Sequence, residues 1–126
     1  MYKRHVIGRS GEDIASKYLE DEGYQIIGRN FYCKQGEIDI VAKDKEEFVF
    51  VEVKTRTNEN YGKPVDAITL YKQKHLIKSI EYFLYKYKLE NVFIRIDVIE
   101  VYGEDENKYN INHIKNAIEK TNLFLN

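Results

Sequence analysis

The sequence has one cysteine, one proline, one methionine and no tryptophan. With Cys33 alone, no internal disulfide can form and no cluster of paired cysteines can hold zinc. Pro64 is the sole proline, and no stretch rich in Pro, Gly or Ser divides the chain. No apolar run is long enough for a signal peptide or a membrane-spanning helix, so a reducing, cytoplasmic setting without membrane contact is expected. An excess of charge is lacking too: Lys plus Arg number 20 and Asp plus Glu 21, a net charge of -1. This excludes a protein that coats nucleic acid through bulk positive charge, but not one basic face offset by acidic segments. His5, His75 and His113 are too scattered for zinc spacing, and the absence of a phosphate-cradling glycine loop speaks against nucleoside-triphosphate hydrolysis.

What remains is a globular composition, 43% hydrophobic and 33% charged over 126 residues, enough for a single domain over residues 1–126. Ile14, Ala15, Tyr18 and Leu19 share a helical face, which predicts a helix over Gly11 to Glu22, with Ser10 as its cap and Gly23 as its stop. Strands are expected over Tyr24 to Phe31, Glu37 to Lys43 and Phe48 to Thr55, the last two as a hairpin. After a polar loop, Thr57 to Val65, helical period returns over Thr69 to Tyr87. Asn91 to Tyr102 reads as a strand, Gly103 to Asn107 as an acidic turn, and Ile111 to Leu125 as either strand or helix. The order predicts an α/β domain with helices flanking a mixed sheet.

Strand alternation places Glu52 and Lys54 on the face of Phe48 and Phe50, with Val49, Val51 and Val53 opposite. Charges in a strand this apolar are poorly explained by stability, since a buried pair often only breaks even. A surface pair, where the strand emerges into solvent, is the plain alternative. Asp39 lies on the preceding strand, where Ile38 and Ile40 read as one face and Glu37, Asp39 and Val41 as the other. A hairpin would bring Asp39 toward Glu52 and Lys54. Converging carboxylates repel unless a cation lies between them, and an oxygen set suits Mg²⁺ or Mn²⁺. The chemistry that fits is metal-assisted phosphodiester hydrolysis.

Gly36-Glu37-Ile38-Asp39 followed by Val51-Glu52-Val53-Lys54 resembles the Asp…(Asp/Glu)-x-Lys signature of restriction-endonuclease-like nucleases. Together with Gly11-Glu12-Asp13, Arg29-Asn30-Phe31, Tyr61-Gly62-Lys63-Pro64, Lys72-Gln73-Lys74, Arg95-Ile96-Asp97-Val98 and Ile111 to Ala117, the chain resembles the bacterial YraN-like family from about Gly8 to Ala117. The resemblance implies a restriction-endonuclease-like fold related to Holliday-junction resolvases. It implies a site of Glu12, Asp39, Glu52 and Lys54, with Asp39, Glu52 and Glu12 on Mg²⁺ or Mn²⁺, Lys54 positioning water, and Glu37 as a supporting group. Glu12 reads equally as an acid complementing a helix dipole.

From Lys54 to Lys88 there are eight cationic and three acidic side chains, a local charge of 8 − 3 = +5. Arg56, Lys72, Gln73 and Lys74 are the candidates for holding nucleic acid, DNA in the first instance. Tyr82, Tyr85 and Tyr87 read as packing or rim residues, since their spacing does not argue for stacking on bases. Cys33 reads as a free thiol, His113 as structural, and Asp97 as a polar sheet residue satisfied by Arg95 or a backbone donor. The leading expectation is a metal-dependent endonuclease acting on branched or processed DNA. The alternatives are a non-catalytic nucleic-acid- or protein-binding module on the same fold, and a closed salt-bridge cluster without metal. Related resolvases act as dimers, so a homodimer is open, but nothing in the sequence marks its face.

Overall fold

The computed structural model describes residues 2–56, 68–105 and 107–118. Helix α1 runs Tyr2–Asp21, and strands β1 (Gln25–Cys33), β2 (Gly36–Asp44) and β3 (Glu47–Arg56) follow. Helix α2 (Leu70–Lys86) leads to β4 (Phe93–Asp105) and β5 (Lys108–Ile114). The five strands form one sheet in chain order. All neighbours are antiparallel except β3 and β4, which are parallel. A parallel pair needs a crossover, and the segment carrying α2 supplies it.

The helices cover opposite faces. Ile14, Ala15 and Leu19 of α1 pack on Ile40, Val49, Val51 and Ile99. Leu76, Ile80 and Phe83 of α2 pack on Ile38, Val41, Phe50 and Ile96. The alternation expected for β3 therefore holds, with Val49 and Val51 toward α1 and Phe50 toward α2. This is the expected α/β arrangement, a mixed sheet between two helices. No helix among the described residues is long and apolar enough to cross a membrane.

Some boundaries differ from the expectation. Helix α1 continues back through position 10, so Ser10 lies inside it and is not its cap. Thr69 does cap α2, its hydroxyl accepting from the Lys72 N–H at 3.1 Å. The acidic turn after Tyr102 is partly strand, since β4 extends to Asp105. The ambiguous tail is a strand to Ile114; Ile118 then joins the α2-side core, and 119–126 lie outside the described residues. So do the Thr57 to Val65 loop and the Tyr61 to Pro64 motif.

The main correction concerns β2. Ile38 and Ile40 do not share a face: Ile38 belongs to the α2-side core and Ile40 to the α1-side core. Two backbone features flank this change of face. Asn30 has a left-handed backbone, φ 54, which Asn tolerates better than most residues. It lies between the Arg29–Ile40 and Phe31–Ile38 pairs, opposite Asp39. On the other side, pairing of β2 with β3 ends at Ile40–Val51. Beyond that point the strands part, and Asp39 stands at the fork.

Candidate active site

Where the β2–β3 ladder ends, a side chain takes its place. The Val53 N–H donates to Asp39 Oδ2 at 2.8 Å. This fixes one carboxylate oxygen in the wall of a pocket of about 520 Å³. Glu12 from α1, Glu37 and Asp39 from β2, and Glu52 from β3 all line it. The sheet fork, and not the hairpin register, is thus what gathers the acidic residues.

Their electrostatics are uneven. Lys72 Nζ lies 3.3 Å from Glu52 Oε2. Arg29 Nη2 lies 3.7 Å from Glu12 Oε1 and 2.8 Å from Asp13 Oδ1. Asp39, at 8% exposure, has no cation among the described residues. Burial, then Glu52, with further pushes from Glu12 and Glu37, raises its pKa from 3.8 to about 7, although the Val53 N–H favours the ionised form.

A divalent cation was weighed against this donor set. The pocket offers carboxylate oxygens and no sulfur, the chemistry of Mg²⁺ or Mn²⁺, and its most buried carboxylate is the uncompensated one. That fits a hard cation. Among the described residues, however, no three acidic, His or Cys groups approach one another at shared-ligand spacing. A bound cation would therefore take part of its coordination from water or substrate, as Mg²⁺ commonly does.

Of the expected site residues, Glu12, Asp39, Glu52 and Lys72 meet at the pocket. Lys54 does not line it. Lys54 shares the face of Glu52 two residues further along β3 and is half-buried, with Glu100 as its neighbour in register. The ammonium in the pocket is that of Lys72. Arg56 is also absent from the wall; its Nε donates to buried Glu100 at 3.1 Å. Gln73 donates to the Ile68 carbonyl at 2.7 Å, bracing the entry to α2. Lys74 is exposed on α2, outside the pocket.

Sequence reasoning missed Gln35, Thr55, Tyr71 and His75, which also line it. His75 Nδ1 lies 2.6 Å from the Gln35 carbonyl. A carbonyl only accepts, so Nδ1 carries the proton, and Nε2 of the neutral ring keeps its lone pair. Gly36 makes this approach feasible: φ is 147, and a Cβ there would lie 3.3 Å from Ser79 Oγ and 3.7 Å from His75 Cβ. The only available signal was Gly36 itself, which marks a turn but does not name the helix it touches.

A second titratable cluster is closed. Asp97 accepts from Arg95 Nε and Nη2 at 2.9 and 3.1 Å, from the Asn116 N–H at 2.9 Å, and from His113 Nε2 at 2.7 Å. Tyr18 hydroxyl lies 3.0 Å from His113 Nδ1. Burial pushes Asp97 up, but His113, Arg95 and Asn116 together hold it below the usual carboxylate value. The acid–imidazole–hydroxyl order resembles a catalytic relay, yet Tyr18 is raised by burial and by Glu22, which disfavours a nucleophile. The cluster ties α1, β4 and β5 together, as expected for His113 and Asp97.

Comparison with known proteins finds relatives over most of the chain. UPF0102 proteins of Caldicellulosiruptor saccharolyticus and Clostridium botulinum are 49% and 48% identical over 118 and 120 residues, covering 93% and 94% of this chain and 99% and 98% of theirs. One from Clostridium perfringens is 44% identical over 112 residues, 88% of this chain and 92% of its own. Among solved structures, Pyrococcus furiosus SfsA in complex with Ca²⁺ superposes with a TM-score of 0.41 at 20% identity. The match covers 92% of this chain but only 65% of that protein, too low a similarity to transfer a role to any residue. The sequence pattern described as "Uncharacterised protein family UPF0102" matches residues 11–101, and the chain belongs to that family.

Proposed function

We propose that the pocket at the β2–β3 fork is the centre of a divalent-cation-dependent endonuclease that hydrolyses DNA phosphodiester bonds. The observation that carries this reading is Asp39: a buried carboxylate facing Glu52, Glu12 and Glu37 with no cation paired to it among the described residues. Asp39, Glu52 and Glu12 are the groups that would hold Mg²⁺ or Mn²⁺. When bound, such an ion supplies Lewis acidity toward the phosphate and an activated water.

The chain's own residues do the rest. The Val53 N–H orients Asp39. Lys72, paired with Glu52 in the absence of other cations, becomes available to a phosphate oxygen once Glu52 is engaged elsewhere. Lys54 is the second ammonium on that face, with the role of positioning water and neutralising charge on the phosphorus. His75, its Nδ1–H held by Gln35, presents Nε2 as an acceptor, or as a donor once protonated.

Calorimetric titration of Mn²⁺ into the wild type and the Asp39→Ala/Glu52→Ala variant tests the site. Binding by the wild type alone is expected, with Mn²⁺-dependent cleavage of branched, flapped or single-stranded DNA abolished by Asp39→Ala and reduced by Lys54→Ala. Equal binding by both proteins, or wild-type cleavage by Asp39→Ala, rejects the assignment. One observation favours a non-catalytic binding module instead: the absence, among the described residues, of three ligand groups at shared spacing. That reading predicts salt-sensitive DNA binding without turnover.

A further inference from the structure

We infer that the solvent face of α2 is a track for single-stranded nucleic acid, leading out of the pocket; the inference rests on the phosphodiester reading of that pocket and names its substrate class. Tyr71, Lys74, Lys78, Tyr82 and Tyr85 follow one another at intervals of three or four residues, so they form one helical stripe. The stripe is open to solvent. Tyr71 is 72% exposed, Tyr85 79% and Tyr82 39%, and Lys74 and Lys78 are exposed between them. From the sequence Tyr82 and Tyr85 read as packing or rim residues; their exposure puts them on the rim, in line with Lys74 and Lys78.

The surface along the stripe is continuous with the site. Gln35, in the wall of the candidate site, also lines a shallow depression of about 340 Å³ with Lys78, Tyr82 and Tyr85. Tyr82 and Tyr85 are shared in turn with a groove of about 1430 Å³ that ends at Lys88 and Phe93, itself 71% exposed. From Tyr71 to Tyr85 the helix rises about 21 Å, the length of about six stacked nucleotides.

The chemistry selects the occupant. Helix α2 carries Lys72, Lys74, Lys78 and Lys86 against Glu81 alone, 4 − 1 = +3 on a chain of net charge -1. Cores of protein–protein interfaces are depleted in lysine, so this stripe is a poor centre for a second copy or an apolar peptide. Exposed rings at both ends of a lysine pair, with Glu81 the one acid beside them, suit a ligand that offers both flat bases and phosphates. A duplex offers no unstacked base to such rings, whereas a single strand does.

Fluorescence anisotropy of labelled oligo(dT), with the full chain in EDTA, measures this without metal or cleavage. The wild type is expected to prefer the single strand to a duplex of equal length. Tyr82→Ala/Tyr85→Ala is expected to weaken single-strand binding at least about tenfold. Tyr85→Phe should bind as wild type, and Lys78→Ala should bind less tightly with a shallower salt dependence. Circular dichroism melts confirm that each variant is folded. The inference is overturned if the wild type does not bind oligo(dT), or if the double tyrosine variant binds it as well. It is also overturned if those substitutions change only the sedimentation of the protein, which marks a self-association surface. Cleavage in Mn²⁺ is read separately: tyrosine-dependent binding without any cleavage rejects the nuclease alone, and cleavage without tyrosine-dependent binding rejects the track alone.

Discussion

Replacing Asp39 by Asn should stabilise the protein, by an amount that grows from about pH 4 upward and is complete at neutral to alkaline pH. A carboxyl whose folded pKa lies above its unfolded value is ionised more easily in the unfolded chain. Its ionisation therefore costs the fold nothing below the unfolded pKa, near 4, and the full amount above the folded value, about 7. At about 1.4 kcal/mol per unit, the penalty is under about 1 kcal/mol at pH 4 and at most about 4 kcal/mol at pH 8. Asn keeps an oxygen for the Val53 N–H, and the pull of that N–H on the ionised carboxylate is already contained in the folded value. The gain at pH 8 is then at most about 4 kcal/mol, or up to roughly 16 °C in Tm for a chain of this size. At pH 4 the two proteins should melt within about 4 °C of each other. Thermal unfolding in EDTA at both pH values is the assay. Mn²⁺ should reverse the order at pH 8 by raising the wild type alone. An Asn variant that melts at or below the wild type at pH 8 without metal, or a shift identical at both pH values, refutes the reasoning.

The other perturbations act away from the pocket floor. Asp97→Asn removes the closest anion of Arg95 but leaves Glu47 and Asp44 at 3.2 and 3.4 Å from its Nη1, and should cost about 1–3 kcal/mol in urea unfolding at pH 7. Because Asp97 is held below its unfolded value, its contribution is complete above pH about 4 and is lost as pH falls through the lowered value, so the gap between wild type and variant should close only in that acid range. Gly11→Ala would place a Cβ 2.5 Å from Thr55 Oγ1. The clash, about 1–3 kcal/mol, should outweigh a helix-propensity gain of about 1 kcal/mol, and Thr55→Ala in the same chain should restore the melting temperature.

Much of this fold is legible from period alone. Phe48 to Val53 alternates cleanly because β3 is the central strand, with a helix on each side, and both of its faces are sorted by burial. The stripe of Leu76, Ile80 and Phe83 is legible for the same reason. What escapes is geometry set at a distance. Nothing local at Ile38-Asp39-Ile40 announces that alternation fails there; the failure is flanked by Asn30 on the neighbouring strand and by the loss of pairing with β3. His75 is silent because its role depends on a carbonyl 40 residues away. Arg56 misleads in the opposite sense: its charge and position suggest phosphate, while Glu100, with no exposed surface, already holds it. Tyr82 and Tyr85 needed exposure, not spacing, to separate rim from core.

The distribution of protein cations around the pocket separates a closed salt-bridge cluster from a cation site. A cluster built for stability places positive charge against its most buried acid, where the field is least screened. Here Lys72 serves the rim acid Glu52 and Arg29 serves Glu12 and Asp13. Asp39, the most buried of the set, receives a single backbone N–H. Lys54 stands two residues from Glu52 on the same face, yet among the described residues it makes no ion pair with any of the three. An Asn at position 39 would satisfy the Val53 N–H at lower cost, so stability does not account for the carboxylate. Among the described residues, three acidic groups stand around one buried carboxyl that pairs with no protein cation, an arrangement that a positive charge from outside the chain would complete; Mn²⁺ binding by the wild type that is lost in Asp39→Ala/Glu52→Ala decides for the cation site, and equal behaviour of the two proteins decides for the closed cluster.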